Sequence, residues 1–267
     1  MGNKPGLLII GVQKSGTTFL HNLLSEHPEL TGCRHKEIRF FNVESNYQKG
    51  YRWYEAYFRG VVGTRIFFES TPGYIYNKEA LLRIKEYNPL IKLIVILREP
   101  VARAYSAWNM FRIFFDSRRI PKALKEWNNG SIYNKFFKGR QTFAPFEEWI
   151  DFEMNILESS EKEPSLLRRG LYYQQIKNVY SIFAKENLLV LGYREVVNMG
   201  DSLNRKIMSF LDLKEAIPEI NSRFTKKFIN KRTYTSSISD STQYFLNEFY
   251  AMPNNQLMGL LGFHPDW

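Results

Sequence analysis

Leu7-Leu8-Ile9-Ile10-Gly11-Val12-Gln13-Lys14-Ser15-Gly16-Thr17-Thr18-Phe19-Leu20 is the stretch whose reading decides the fold. Its aliphatic run, with no polar alternation, reads as a strand buried on both faces. A short turn rich in Gly, Ser and Thr follows, then an amphipathic helix to about Glu26 that His27-Pro28 stops. Such a unit aims several backbone N–H groups, and the positive end of the helix dipole, at one point in front of the turn. That point suits an anion. Gly11 and Gly16 have the spacing of G-x-x-x-x-G-K-[ST], the phosphate-cradling Walker A loop. Thr17 stands where that loop needs its lysine, and the lysine lies upstream at Lys14. An anion loop of a different kind is expected.

Working outward, further buried strands are expected over residues 64–70, 92–97 and 188–192. Helices are expected over 47–58, 77–87, 100–112, 171–185, 201–211 and 242–251. Residues 114–162 read as less regular, basic in their first half and aromatic, and 218–241 as a basic, polar connection. Aliphatic strands alternating with helices predict an α/β fold: one domain over 1–267, with a central parallel sheet flanked by helices on both faces. Ligands of such sheets bind at the carboxyl ends of the strands. The turns at Gly11–Thr18, Ser70 and Arg98 should therefore share one cleft.

Composition narrows the partners. A net charge of +10 on 267 residues favours anionic ones: a nucleotide-like cofactor, an acidic glycan, nucleic acid or an anionic membrane surface. Cys33 is the only cysteine, which rules out an internal disulfide, argues against a cysteine-based metal site and fits a reducing compartment. No apolar run approaches the ~20 residues that span a bilayer, and the first strand follows Pro5 directly. A cytoplasmic protein is expected; a lumenal domain trimmed from a membrane-anchored parent would read the same way. Gly2 does not make a myristoylation motif, because Gly6 stands where Ser or Thr is needed.

Two further motifs carry chemistry. Lys92-Leu93-Ile94-Val95-Ile96-Leu97-Arg98-Glu99-Pro100 ends a strand in a guanidinium, with Ser106 eight residues beyond Arg98. A P-loop kinase would need a carboxylate there to hold Mg²⁺. Arg98 is instead a fork suited to phosphate, and alternation sends Glu99 the other way. An anion held without a metal is the reading. Glu37, in Glu37-Ile38-Arg39-Phe40-Phe41, is flanked by apolar and aromatic residues that favour a general base. His35 competes, since its ordinary pKa lies nearer neutrality. Both stand at this point.

These residues resemble the sulfotransferases that use 3′-phosphoadenosine-5′-phosphosulfate (PAPS). Gln13-Lys14-Ser15-Gly16-Thr17-Thr18 is similar to their 5′-phosphosulfate loop, and Leu97-Arg98-Glu99-Pro100 with Ser106 to their 3′-phosphate site. Within that superfamily the likeness is closest to the heparan-sulfate (glycosaminoglycan) sulfotransferases. Glu37-Ile38-Arg39-Phe40-Phe41 resembles the segment that carries their catalytic glutamate, and Thr71-Pro72-Gly73-Tyr74 their Thr-Pro-x-Tyr turn. Arg169-Gly170-Leu171-Tyr172 and the Asp266-Trp267 ending are similar to further motifs of theirs. Two departures stand out. Ser70 occupies a position where those enzymes often carry a lysine beside the acceptor, so either transition-state stabilisation would rest more on Lys14 or Lys36 or Arg39 would supply that cation. Their late Lys-Gly-Arg phosphate loop has no clean match, and Lys231-Arg232 is the nearest basic pair.

The resemblance implies a fold similar to the P-loop NTPases and in-line transfer of a sulfuryl group from PAPS to a hydroxyl or amino group, without a metal. Glu37 and Lys14 would be catalytic. Lys14, Ser15, Gly16, Thr17, Thr18, Arg98, Ser106 and Arg232 would bind the cofactor. Glu37, Arg39 and Ser70 would meet the acceptor, a glycan or small molecule, acidic ones included. Neither nucleic acid nor a membrane span is expected. The alternatives are a P-loop nucleotide kinase, which requires Mg²⁺ and ATP, and a non-catalytic polyanion-binding protein, whose binding would be strongly salt-dependent.

Overall fold

Strand β1 (Leu7–Gly11) is buried along its whole length, as its unbroken aliphatic run requires. The computed structural model describes residues 4–58, 64–118, 131–159, 165–214 and 237–267. They fall into two compact units, the first drawn from 1–98, 173–231 and 258–267, the second from 99–172 and 232–257.

In the first unit, β1 is the middle of a five-stranded parallel sheet. The others are β2 (Leu30–Gly32), β3 (Ile66–Ser70), β4 (Lys92–Leu97) and β5 (Leu188–Gly192), in the order β2-β3-β1-β4-β5. From β1 the chain first fills one side of the sheet, then crosses to β4 on the other. The crevice beyond the carboxyl ends of β1 and β4 is therefore the topological switch point, where open α/β sheets bind ligands.

Side chains on one face of the sheet (Leu7, Ile9, Phe68, Ile94, Ile96, Leu191) pack on helices α1 (Thr17–Ser25) and α10 (Asp201–Leu211). Leu8, Ile10, Leu93, Val95 and Leu97 alternate to the opposite face and are also fully buried. Both faces are covered, and the expected α/β fold with a central parallel sheet and flanking helices is borne out. The expected helix at 47–58 is instead two short helices, α2 (Glu44–Tyr47) and α3 (Gly50–Glu55), followed by a 3₁₀ turn at Ala56–Phe58. Helix α4 (Lys78–Tyr87) buries Ala80, Leu81, Ile84 and Tyr87, one stripe at helical spacing, and the Asn77 side chain caps it by accepting from the Ala80 N–H. Helices α8 (Tyr172–Ile182) and α9 (Tyr193–Asn198) flank β5 in sequence.

Arg194 donates its backbone N–H to the Asp266 carbonyl at 3.0 Å, which ties that late segment to the start of α9. Gly192 permits the approach: a Cβ there would lie 2.2 Å from the same carbonyl oxygen.

The second unit opens with helix α5 (Pro100–Asp116), which has Pro100 in its first turn and is capped by Glu99, whose carboxylate accepts from the N–H groups of Val101 and Ala102 at 2.8 and 2.6 Å. The described part of 114–162 is more regular than expected: α5 runs on to Asp116, and helices α6 (Ser131–Phe136) and α7 (Phe146–Asn155) follow. Their aromatic residues serve packing. Trp149 lies between Phe136 and Phe111, with ring centroids 4.5 and 5.3 Å away and planes within 4° and 14° of parallel. Helix α11 (Asp240–Leu261) adds Leu246 and Tyr250 to this core. It runs ten residues past the expected end at 251, through Pro253, whose missing N–H costs one ladder bond while the turns on either side keep theirs.

Candidate active site

The turn between β1 and α1 has a backbone built to face an anion. Gly16, the residue before α1, is left-handed at φ 84°, and no side chain caps the helix. Leu20 makes the first intrahelical bond, to the Gly16 carbonyl, so helical geometry leaves the N–H groups of Thr17 and Thr18 without a partner in the helix. Ser15 is fully buried and its hydroxyl has no hydrogen-bond partner among the described residues; the buried Gln13 Oε1 likewise has none. A buried hydroxyl left unpaired costs about 1–3 kcal/mol, so its presence beside the helix N-terminus fits a site completed by a bound anionic group.

Arg98, at the end of β4, closes this turn from the neighbouring strand. Its Nη1 donates to the Lys14 carbonyl at 3.0 Å, and its guanidinium lies over the Tyr193 ring, 4.7 Å from the centroid. Gly16 faces the same ring, with Tyr193 carbons 3.6 and 3.7 Å from where its Cβ would stand. Tyr193 thus supports both the glycine turn and the arginine. It was not among the expected site residues, and its only signal in sequence is its position directly after β5, on the same edge of the sheet. Lys14 is partly exposed and left-handed at φ 74°.

Residues 35–41 are held at the end of β3, the strand on the other side of β1. Glu37 donates its backbone N–H to the Ser70 carbonyl at 3.1 Å. Both Glu37 and Arg39 are left-handed, at φ 61° and 57°. The Glu37 side chain is half-exposed and paired with the Lys36 ammonium at 3.2 Å. His35 is exposed, its ring centroid 5.5 Å from that of Tyr57.

Ser70, expected to meet the acceptor, is fully buried and turned inward, with its hydroxyl 2.8 Å from His21 Nδ1. His21 Nε2 lies 3.1 Å from the Cys33 carbonyl. A carbonyl only accepts, so Nε2 carries the proton, Nδ1 accepts and Ser70 donates. Burial, with a smaller contribution from the Lys36 charge, lowers the His21 pKa to about 4 and keeps the ring neutral. Cys33 is a free, buried thiol pushed up to about 11 by its burial. None of this arrangement around His21 was legible in the sequence.

Two expected site residues remain, Ser106 and Arg232. Ser106 is buried on α5, within the second unit. Arg232 lies outside the described residues. Among the described residues no group of His, Cys, Asp and Glu is arranged to hold a metal ion, and no helix is long and apolar enough to cross a membrane.

Three turns at the carboxyl edge of adjacent strands, one of them an open helix N-terminus locked to an arginine, form a candidate anion site. The family model for the sulfotransferase domain matches residues 4–243. The chain belongs to the sulfotransferase domain family. Its fold is that of a sulfotransferase from Alicyclobacillus acidocaldarius, whose crystal structure superposes with a TM-score of 0.73 at 21% identity, over 97% of this chain and 96% of that one. Among curated relatives, the bifunctional heparan sulfate N-deacetylase/N-sulfotransferase 4 of Mus musculus is 35% identical over 214 residues, 78% of this chain and 22% of that protein. The human heparan sulfate glucosamine 3-O-sulfotransferase 3B1 is 27% identical over 223 residues, 83% of this chain and 50% of that protein. The sulfotransferase chain thus spans about half, or less, of the length of these two relatives. The expected likeness to the heparan-sulfate branch is borne out by these relatives, and they include both N- and O-sulfotransferases by name.

Proposed function

We propose that this sulfotransferase-family chain moves a sulfuryl group from PAPS to a hydroxyl or amino group of an acceptor by direct in-line transfer. The observation that carries the reading is the lock between Arg98 Nη1 and the Lys14 carbonyl beside the unpaired, buried Ser15 hydroxyl. It supports a preformed anion cradle at the switch point, built from the two motifs that resemble the family's two phosphate sites.

The donor supplies an activated sulfuryl group carried on a phosphate oxygen. Ser15, Gly16, Thr17 and Thr18 hold the 5′-phosphate through N–H and hydroxyl groups, and Arg98 holds the 3′-phosphate. The resemblance adds Ser106 and Arg232 to the cofactor residues. Lys14 stabilises the negative charge that develops on the bridging oxygen, an interaction strongest in the transition state. Glu37 receives the acceptor proton at its carboxylate, and Lys36, already paired with it, provides a cation on the acceptor side. We read the transfer as needing no metal ion: β4 ends in a guanidinium, and the Glu99 carboxylate is committed to capping α5.

The names of the relatives and the net charge of +10 favour an acidic glycan as acceptor, and a small molecule remains within the same chemistry. With a single cysteine, the cytoplasm is the compartment we propose. Titration with the desulfated product, 3′-phosphoadenosine-5′-phosphate, in the presence of a chelator tests the donor assignment. Saturable one-to-one binding is expected. No binding, or binding only with Mg²⁺ and ATP, overturns it.

A further inference from the structure

Glu69 is a fully buried carboxylate of the first unit, and the proposed chemistry does not use it. It lies on β3 opposite Leu8 of β1, with no solvent exposure. Three hydroxyl groups converge on it: Tyr74 and Tyr54 donate to Oε1 at 2.7 and 3.0 Å, and Thr71 donates to Oε2 at 2.7 Å. A hydroxyl has one proton. Once Tyr74 and Thr71 have given theirs to Glu69, only their lone pairs face outward.

Those lone pairs meet consecutive amides of the loop that carries Glu37. The Arg39 N–H donates to Thr71 Oγ1 at 3.3 Å, and the Phe40 N–H donates to the Tyr74 hydroxyl at 3.1 Å. With the Glu37 N–H on the Ser70 carbonyl, three amides of residues 37–40 are held by one strand end. The loop needs this holding, because Glu37 and Arg39 are both non-glycine residues in the left-handed region, a conformation that persists only where its surroundings over-determine it.

We propose that Glu69 is a positioning residue: as a buried acceptor it orients the Tyr74 and Thr71 hydroxyls so that their lone pairs clamp the Arg39 and Phe40 amides and fix the left-handed loop that presents Glu37. The catalytic consequence rests on the reading of Glu37 as the base. An amide in place of the carboxylate directs N–H bonds at hydroxyls that already donate. The hydroxyl that receives such an N–H must turn its own proton away from residue 69, to the side where its lone pairs face the loop, and its hold on the loop N–H is weakened. Tyr54 is the internal control, because its hydroxyl donates to Glu69 and to no described part of the loop.

The test compares Glu69→Gln, Tyr74→Phe and Tyr54→Phe by site-resolved amide hydrogen exchange and by steady-state kinetics. In Glu69→Gln and Tyr74→Phe the Arg39 or Phe40 amide should lose protection at least 10-fold. In the same variants kcat should fall 10-fold or more, with binding of the desulfated product unchanged. Tyr54→Phe should keep both amides protected and kcat within twofold. Unchanged protection in Glu69→Gln and Tyr74→Phe overturns the proposal, as does a kcat loss no greater than that of Tyr54→Phe. Tyr74→Phe carries the test if Glu69→Gln does not fold. Glu37→Gln is assayed alongside: near-normal turnover there sinks the base assignment alone, and the exchange measurement still decides what Glu69 does.

Discussion

Arg98 Nη1 donates to the main-chain carbonyl of Lys14 at 3.0 Å, so the residue that follows β4 holds the backbone of the turn that follows β1. The two turns belong to adjacent parallel strands, and the bond crosses the switch point of the sheet. An arginine bound to a carbonyl there shapes the loop as well as adding charge to it. Arg98→Lys keeps the charge but loses the planar fork and much of the stacking on Tyr193. The loss of one charge-assisted hydrogen bond, about 1.5–3 kcal/mol, should weaken 3′-phosphoadenosine-5′-phosphate binding roughly 10- to 100-fold. Calorimetric titration of variant and wild type measures it; equal affinities would show that Arg98 does not touch the ligand.

Lys14 and Glu37 should separate in kinetics from the groups that only bind. Lys14→Met removes a charge that acts most strongly in the transition state, so kcat should fall by about 10²-fold or more with little change in donor KM. Glu37→Gln removes the proton acceptor and should lower kcat by a similar ~10²-fold. A mainly KM effect from Lys14→Met would reassign the lysine to ground-state binding. Near-normal turnover in Glu37→Gln would move the base role to the exposed His35.

His21 predicts an acid-side loss of stability with a definite sign. Its folded pKa is depressed to about 4 from an ordinary 6.5, so the unfolded chain binds the proton more readily over that interval. The stability it contributes is present in full above pH 6.5 and is lost as pH falls toward 4, about 3 kcal/mol over the interval. His21→Gln cannot take up that proton. Urea unfolding at several pH values should therefore show the wild type losing ground to this variant as the medium is acidified, and parallel profiles would refute the buried neutral ring.

Ser70→Ala separates two roles for Ser70. If its hydroxyl serves His21, the substitution leaves Nδ1 buried without a donor, costs about 1–3 kcal/mol of stability and leaves acceptor KM close to wild type. A several-fold rise in acceptor KM with unchanged stability would instead put Ser70 against the acceptor, as the resemblance implied.

Gly192→Ala places a methyl group against the Asp266 carbonyl. Backbone cannot yield as a flexible side chain would, so the Asp266 segment must shift, at a cost of about 1–3 kcal/mol. A lowered Tm together with faster proteolysis between α11 and Trp267 is the expected result.

The strand–turn–helix stretch from Leu7 to Leu20, the guanidinium at the end of β4 and the parallel α/β class were all legible in the sequence. Each is carried by local information: an unbroken aliphatic run, a glycine spacing, a residue type at a strand end. Local pattern misread two segments. The segment expected as one helix over 47–58 is broken at Gly50, which is left-handed at φ 78°, and Tyr47, Tyr51, Trp53 and Tyr54 pack around Phe40 instead of along one helical stripe. The helix expected to end at 251 runs through Pro253, since one missing ladder bond is outweighed by the turns around it. The His21 network had no local signal at all, and the Glu69 network showed only its near donors, Thr71 and Tyr74, in a turn whose role the sequence does not state. Glu69 meets Tyr54 fifteen residues back, and His21 meets Ser70 forty-nine residues on. A buried carboxylate or imidazole is tolerated only when donors or acceptors of the right kind reach it, and those partners are assembled by strand order. The anion loop was thus written in the order of residues; which buried groups hold the loop carrying Glu37 in place was decided by β2 lying beside β3, which brings that loop to the turn after Ser70.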